Sequence, residues 1–396
     1  MTMESLWLDD LNIHERSSVI PNAREYRRAR VLHAREALRA VRSAHGDAPL
    51  ILGSVGSVAW ATGGVSQPID RTASSEAVWL VDATEPTLLI SSVEIPRFAA
   101  EGELEELGFN VVAVPWYEEN GFQKAALRLA RVDATKVVSD VGMGGDISVE
   151  LIERRMVLSG GERELLRWLG AETARVLEAA VRSWQPGISA DFSVAGEISF
   201  GLESIGAEAV CLIVGGDDRI KTFRHPMMNG AVVNELLMAV VVARWSGLHV
   251  AATRIATTIV DERLTADYAL VASVARVTLL ATAPGAIWGE AYGALSRGYR
   301  DVDHGQAWRD HFQGGPIGYA QREFELSPQA TDSSFWSRDI EQNVAVAWNP
   351  SLHGGAKVED TFLVGESGNE CVTTTGTWPR CDPNDPLSAA DLLVLG

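Results

Sequence analysis

His225 stands in Phe223-Arg224-His225-Pro226, in a loop before a long apolar run. An imidazole has an unperturbed pKa of about 6.5, so both of its protonation states are accessible near neutrality and it can act as a general acid or base. Glu359 lies in Val358-Glu359-Asp360-Thr361, a strand-like context in which an inward-facing carboxylate is costly unless it is paired or hydrogen-bonded. It is a candidate to bind a cationic or N–H-rich group or to orient a water. The alternative is a partly buried Glu held by backbone N–H groups.

A second group of candidates surrounds His311-Phe312-Gln313-Gly314-Gly315-Pro316-Ile317-Gly318-Tyr319. Glycines there let the backbone approach a ligand closely. Arg322 carries a planar fork of donors that matches a carboxylate, with an Arg–Glu ion pair as its competing use. His311 can donate to a substrate or to Glu323. Trp245, Trp308 and Trp348 flank these segments as pocket walls or as core, and Asn349 beside Trp348 offers an amide that both donates and accepts. Gly63-Gly64, Asp70 and Arg71 follow Trp60 much earlier in the chain.

The elements that must position these groups fall into two kinds. Residues 20–155 alternate helical and strand-like patterns: a helix over Arg24–His45, strands over Leu50–Leu52, Ala77–Val81, Thr87–Ile90 and Val111–Val114, and a helix over Pro96–Leu107. That order implies an α/β layer domain. Beyond the Ser159-Gly160-Gly161 turn, helices are expected over Glu162–Ser183, Ser189–Ile205, Asp267–Leu280 and Trp288–Tyr299. Strands are expected at Val210–Val214, Leu236–Val242, Val250–Thr258, Tyr319–Phe324, Val344–Trp348, Lys357–Val364 and Glu370–Thr374. The expected domains are therefore 1–156, 157–379 and a tail, 380–396, whose apolar end packs on the body or on a partner chain.

The net charge of −19 argues against nucleic acid as a partner, because phosphate contacts need clustered Lys and Arg. One basic run, Arg24 to Arg42, has the spacing of a helix with a solvated face, or of a contact with an anionic partner or another domain. Three cysteines without Cys-x-x-Cys spacing, an acidic N-terminus and no uninterrupted apolar run of membrane-spanning length lead to the expectation of a cytoplasmic protein with no membrane association.

Over roughly residues 20–380 the order of Phe223–Pro226, the strands 236–258, the Gly-rich segment, Trp348-Asn349-Pro350 and Gly355-Ala356-Lys357-Val358-Glu359-Asp360-Thr361 resembles the creatinase/aminopeptidase P superfamily. The resemblance implies an α/β N-terminal domain followed by an α+β pita-bread domain, a curved and mainly antiparallel sheet covered by helices. Peptidases of that family hold two divalent ions with two Asp, one His and two Glu. The matching positions here carry Val240, Ala251, Gly315 and Asn349, leaving only Glu359, so no metal cofactor is expected.

By the same resemblance His225 takes the acid/base role that the corresponding His has in creatinase, and Glu359 contacts substrate. Arg322 occupies the place of a second substrate-touching His. Arg71 reaches the pocket of a neighbouring subunit in a homodimer. The implied activity is metal-independent, creatinase-like hydrolysis of a C–N bond in an amidine, guanidine or activated amide, the substrate being small, polar and carboxylate-bearing. The alternatives are a lyase, isomerase or decarboxylase reusing the pocket, or a non-catalytic binding pseudoenzyme.

Overall fold

The computed structural model describes residues 23–65, 75–328 and 335–395; Arg71 and Asp70 lie outside the described residues. The chain forms two compact units. One is Ala23–Glu162 with Ser246–Leu248, and the other comprises Arg163–Trp245 and the residues from His249 onward.

In the N-terminal unit the order is α1 (Ala23–Ala44), β1 (Leu50–Ser54), α2 (Val55–Ala61), β2 (Ser75–Asp82), β3 (Pro86–Ser91), α3 (Ile95–Glu101), β4 (Asn110–Val114), α4 (Gly121–Ala130), β5 (Val138–Ser139), β6 (Gly145–Asp146) and α5 (Ser148–Arg155). The strands make one mixed sheet, β4-β3-β2-β1-β5-β6. Helix α1 buries Val31, Ala34, Leu38 and Val41 at a three-to-four spacing; of its arginines only Arg28 and Arg39 are exposed among the described side chains, Arg30 is buried, and Arg27 and Arg42 pair with Glu103 and Asp82, so the run is not a purely solvated face. On the sheet, Ile51, Trp79, Val81, Leu89 and Val114 pack with Ala125, Ala126 and Ala130 of α4.

The helix expected to run to Leu107 ends at Glu101. The Gly102 N–H closes on the Phe98 carbonyl, a β-carbon at residue 102 would stand 2.6 Å from that oxygen, and Glu103 turns left-handed at φ 51°. Helix α2, which was not foreseen, is capped by the Ser54 hydroxyl accepting from the Ser57 N–H. Its residues Ser57–Ala61 are all buried, so no amphipathic period marks it.

The second unit runs α6 (Gly160–Ser183), α7 (Asp191–Glu203), β7 (Glu208–Gly216), α8 (Asp217–Thr222), β8 (Leu236–Trp245), β9 (Leu248–Thr257), α9 (Glu262–Ala281), α10 (Trp288–Asp301), β10 (Gly314–Ile317), β11 (Ala345–Trp348), β12 (Asp360–Leu363), β13 (Glu370–Cys371) and β14 (Leu393–Val394). Two four-stranded sheets, β14-β9-β8-β7 and β10-β11-β12-β13, carry its core. They are stitched together where the Thr253 N–H donates to the Glu359 carbonyl at 2.9 Å and the His249 N–H to the Gly318 carbonyl at 2.8 Å. The β8–β9 turn, Ser246-Gly247, has φ of 50° and 85°, the two positive values that a tight two-residue hairpin requires.

Helix α7 packs on β7, and α9 packs on α10 and β11. Helix α9 is long and apolar enough to cross a membrane by length and mean hydropathy (1.4). Its buried positions, Leu264, Tyr268, Val271, Val274, Ala275, Thr278 and Leu279, follow helical spacing, as expected of a helix with one face in a protein core.

The strand expected at Tyr319–Phe324 is instead a series of turns, and the pairing segment lies upstream at Gly314–Ile317. The chain folds back there: the Glu323 N–H donates to the Pro316 carbonyl, and the Glu323 carboxylate accepts from the Ala320 N–H at 3.1 Å. Near the C-terminus, β14 pairs in parallel with β9, Leu393 opposite Ala256 and Val394 opposite Thr257, so the apolar end of the chain packs on its own body.

Candidate functional site

The sheets of the second unit enclose a cavity of about 420 Å³. Cys211 and Ile213 of β7, Val240 and Val242 of β8, Ala251 of β9, Gly314–Pro316 of β10 and Ala347 of β11 supply an apolar wall. The two-residue spacing of the β7 and β8 pairs follows from strand geometry, which turns alternate side chains to one face. His225, Gln321, Arg322, Asn349, Lys357 and Glu359 bring the polar chemistry, with Phe312 beside them.

His225 reaches this wall from the loop after α8. Pro226 is buried over Gly215, where any β-carbon would fall 2.8 Å from the proline ring. Buried Asp191 ties the following loop by accepting the Gly230 N–H at 2.8 Å and the Asn229 N–H at 3.0 Å. The imidazole itself makes no hydrogen bond among the described residues, and its ring stands 6.2 Å from that of His311 at 77°. Partial burial, followed by the positive charge of Lys357, lowers its pKa below the ordinary 6.5. At neutral pH the ring is therefore an unprotonated base facing open space.

Glu359 is only 6 % exposed, and both its oxygens are engaged. One accepts from the Thr253 hydroxyl at 2.8 Å and the other from the Asn349 amide at 3.1 Å. Lys357, two residues earlier and on the same side of the extended chain, forms an ion pair with Glu359 at 3.8 Å. The Asn349 amide oxygen is buried without a hydrogen-bond donor among the described residues.

His311 is not part of the wall. Its Nδ1 faces the Phe312 carbonyl and must carry the proton, which leaves Nε2 to accept from the Ser351 hydroxyl at 2.6 Å. Neither a substrate-facing nitrogen nor a bond to Glu323 remains. Burial first, then Lys357, push the His311 pKa down to about 3. With a folded-state value below the unfolded 6.5, the unfolded chain binds the proton first on acidification. The stability from neutral His311 is fully present above pH 6.5 and is lost as pH falls toward about 3. Denaturant midpoints should fall over that window in the wild type and more shallowly in His311→Gln; identical slopes would refute this.

Arg322 lines the cavity, lies 4.6 Å from the Phe312 ring centroid and pairs with Glu325, not with its neighbour Glu323. Glu323 is buried in the fold-back and does not line the cavity. Trp348 is buried as well: its indole N–H donates to the Thr282 hydroxyl at 3.1 Å, and it packs on Tyr292. Trp308 also contacts Tyr292, and Trp245 meets Trp168; both are half-buried, and none of the three tryptophans lines the cavity. Lys357, Thr253, Cys211, Gln321 and Phe312 are the site residues that were not singled out from sequence; Lys357 and Glu359, two apart in an extended segment, carried the one available signal.

The five positions expected to correspond to metal ligands, Val240, Ala251, Gly315, Asn349 and Glu359, all line this cavity. Their chemistry does not fit a pair of divalent ions. Two are alkyl side chains, one is an amide, and the single carboxylate already has a lysine counter-ion. Gly315 has φ of 141°, a backbone conformation that an L side chain such as a ligating His would occupy only with strain. Among the described residues no group of three or more His, Cys, Asp or Glu is placed to hold an ion.

No family model matches this sequence, and no curated protein matches it. Solved structures do. The chain is similar to the dipeptidase PepE from Mycobacterium ulcerans, with a TM-score of 0.72 and 17% identity over 93% of this chain and 98% of that one. It is similar to the prolidase from Pyrococcus horikoshii OT3, with a TM-score of 0.68 and 13% identity over 87% and 98% of the two chains. It also matches the N-terminal domain of the FACT complex subunit SPT16 from Cicer arietinum (chickpea), with a TM-score of 0.65 and 11% identity over 89% and 97%. At these identities the likeness establishes the architecture: an α/β unit followed by a pita-bread unit.

Proposed function

We propose that the pita-bread unit is a metal-independent hydrolase that cleaves a C–N bond in a small, polar, carboxylate-bearing molecule, with His225 as general acid and base. The observation that carries this reading is the convergence of His225, Glu359, Asn349 and Arg322 on one cavity whose remaining wall is apolar. Water attacks the carbon of an amidine, guanidine or activated amide while His225 takes its proton. The imidazolium returns that proton to the departing nitrogen as the C–N bond breaks, consuming one water. Glu359 keeps Asn349 and Lys357 in place and retains unshared lone pairs to orient the water.

Without a metal to generate hydroxide, an unactivated peptide bond is a poor target. We place the enzyme in the cytoplasm as a homodimer, with Arg71 of one chain serving the other's pocket. Binding without turnover is the second reading, favoured by a cavity whose single carboxylate is already held by Lys357 and Asn349. Assaying creatine, cyclic amidines and N-acyl amino acids for released amine separates the two readings. Elemental analysis is expected to find no stoichiometric divalent ion, and chelation should leave turnover unchanged. About two metals per chain, or activity lost to chelator and restored by metal, would sink the metal-free mechanism.

A further inference from the structure

Lys357 is the least satisfied charge in the cavity. Its residue is 6 % exposed, and its ammonium lines the cavity. Its ion pair to Glu359 spans 3.8 Å, beyond hydrogen-bond length, and no acceptor stands within hydrogen-bond distance of its three donors among the described residues. The Nζ atom is not among the polar atoms sealed in the core without a partner, so its free donors open onto the cavity, where a ligand's acceptor can reach them. Glu359 is in the opposite condition, with Thr253 and Asn349 on its two oxygens.

The charges on the wall are unequal: Lys357 and Arg322 are cationic, and Glu359 alone is anionic. Arg322 has its own acid in Glu325 and sits on the exposed face of Phe312, which leaves Lys357 as the deep cation. After burial, Lys357 is also the foremost charge lowering the pKa of both His225 and His311.

We infer that Lys357 is the docking point for the substrate's carboxylate, which completes the hydrogen bonding of the cavity-facing ammonium and holds the rest of the molecule against His225. The ligand class is thus a small N-acyl or N-amidino carboxylic acid. Its apolar portion lies on Val240, Val242 and Ala251, and an N–H is available to the unpartnered Asn349 oxygen. The identity of the scissile bond rests on the hydrolase reading, whereas the carboxylate site is tested by binding alone.

Calorimetric titration of the full chain with N-acetylglycine, its neutral counterpart N-acetylglycinamide and inorganic phosphate tests the assignment. N-acetylglycine should bind about ten- to a hundredfold more tightly than the amide, and Lys357→Met should abolish that preference while Lys357→Arg keeps part of it. Should Lys357→Met leave Glu359 uncompensated and fail to fold, Lys357→Met/Glu359→Gln removes both charges and serves instead. Equal binding of acid and amide, equal binding of phosphate, no binding of N-acetylglycine by the folded wild type, or an undiminished preference in the Lys357 variants would overturn the inference. Carboxylate-selective, Lys357-dependent binding without turnover would leave it standing and refute hydrolysis. Turnover indifferent to Lys357 would do the reverse.

Discussion

Replacing Arg254 with methionine is expected to lower the unfolding free energy by about 3–5 kcal/mol, the range for breaking a buried ion pair from one side. The guanidinium is 2 % exposed and meets the Glu178 carboxylate at 3.1 Å and the Asp360 carboxylate at 2.9 Å. It also donates to the Thr253 carbonyl at 2.9 Å and the Thr373 carbonyl at 2.7 Å, with the Trp378 ring 5.7 Å away. Burial alone would pull its pKa down; Asp360 and Glu178 more than reverse that and raise it above the ordinary value. Removing the cation strands two carboxylates in the core. A further change of Glu178 to Gln and Asp360 to Asn should recover part of the loss, because the amides need no counter-ion. Urea denaturation at neutral pH measures this, and a loss below about 1 kcal/mol would show that the network is not a unit. The network bears on the site because Arg254 adjoins Thr253, and Asp360 adjoins Glu359. Turnover should fall with stability.

Much of this arrangement is legible in the sequence. Apolar runs such as Leu236–Val242 and Val250–Thr258 extend to buried strands, and the Gln185-Pro186-Gly187 punctuation after α6 leaves little choice of boundary. His225 and Glu359 stood out because their residue types and order resembled a known constellation, and the cavity contains both. What was illegible depends on contacts distant in sequence. A lysine in sequence is ordinarily a solvated charge; Lys357 is buried because the chain crosses beside β9, where the Thr253 N–H meets the Glu359 carbonyl. Trp348 and Asn349 are neighbours in a segment where adjacent residues face opposite ways, and spacing alone could not say which of them faced the cavity. In sequence the neighbouring acid for an Arg322 ion pair is Glu323; the fold-back commits Glu323 to the Ala320 N–H, and Arg322 pairs with Glu325.

The sharpest test of the chemistry is His225→Ala, which should lower kcat by about 10²–10⁴ while changing KM little, since proton transfer is needed only as the bonds rearrange. The structure makes the variant informative because His225 forms no hydrogen bond among the described residues and is exposed, so its loss removes little packing or support. His225→Gln, which preserves hydrogen bonding without proton exchange, should be equally slow. The pH profile supplies a second reading. With its pKa lowered by partial burial of the ring against the cavity wall and by Lys357, His225 is a base in its deprotonated form, so kcat/KM should rise along an acid limb centred below pH 6.5 and be flat by neutrality. Lys357→Met should move that limb toward 6.5, because the cation that disfavours protonation is gone. A His225→Ala enzyme that keeps the wild-type kcat and loses only affinity would make His225 a binding residue, and the proton would then have to be moved by another group in the cavity.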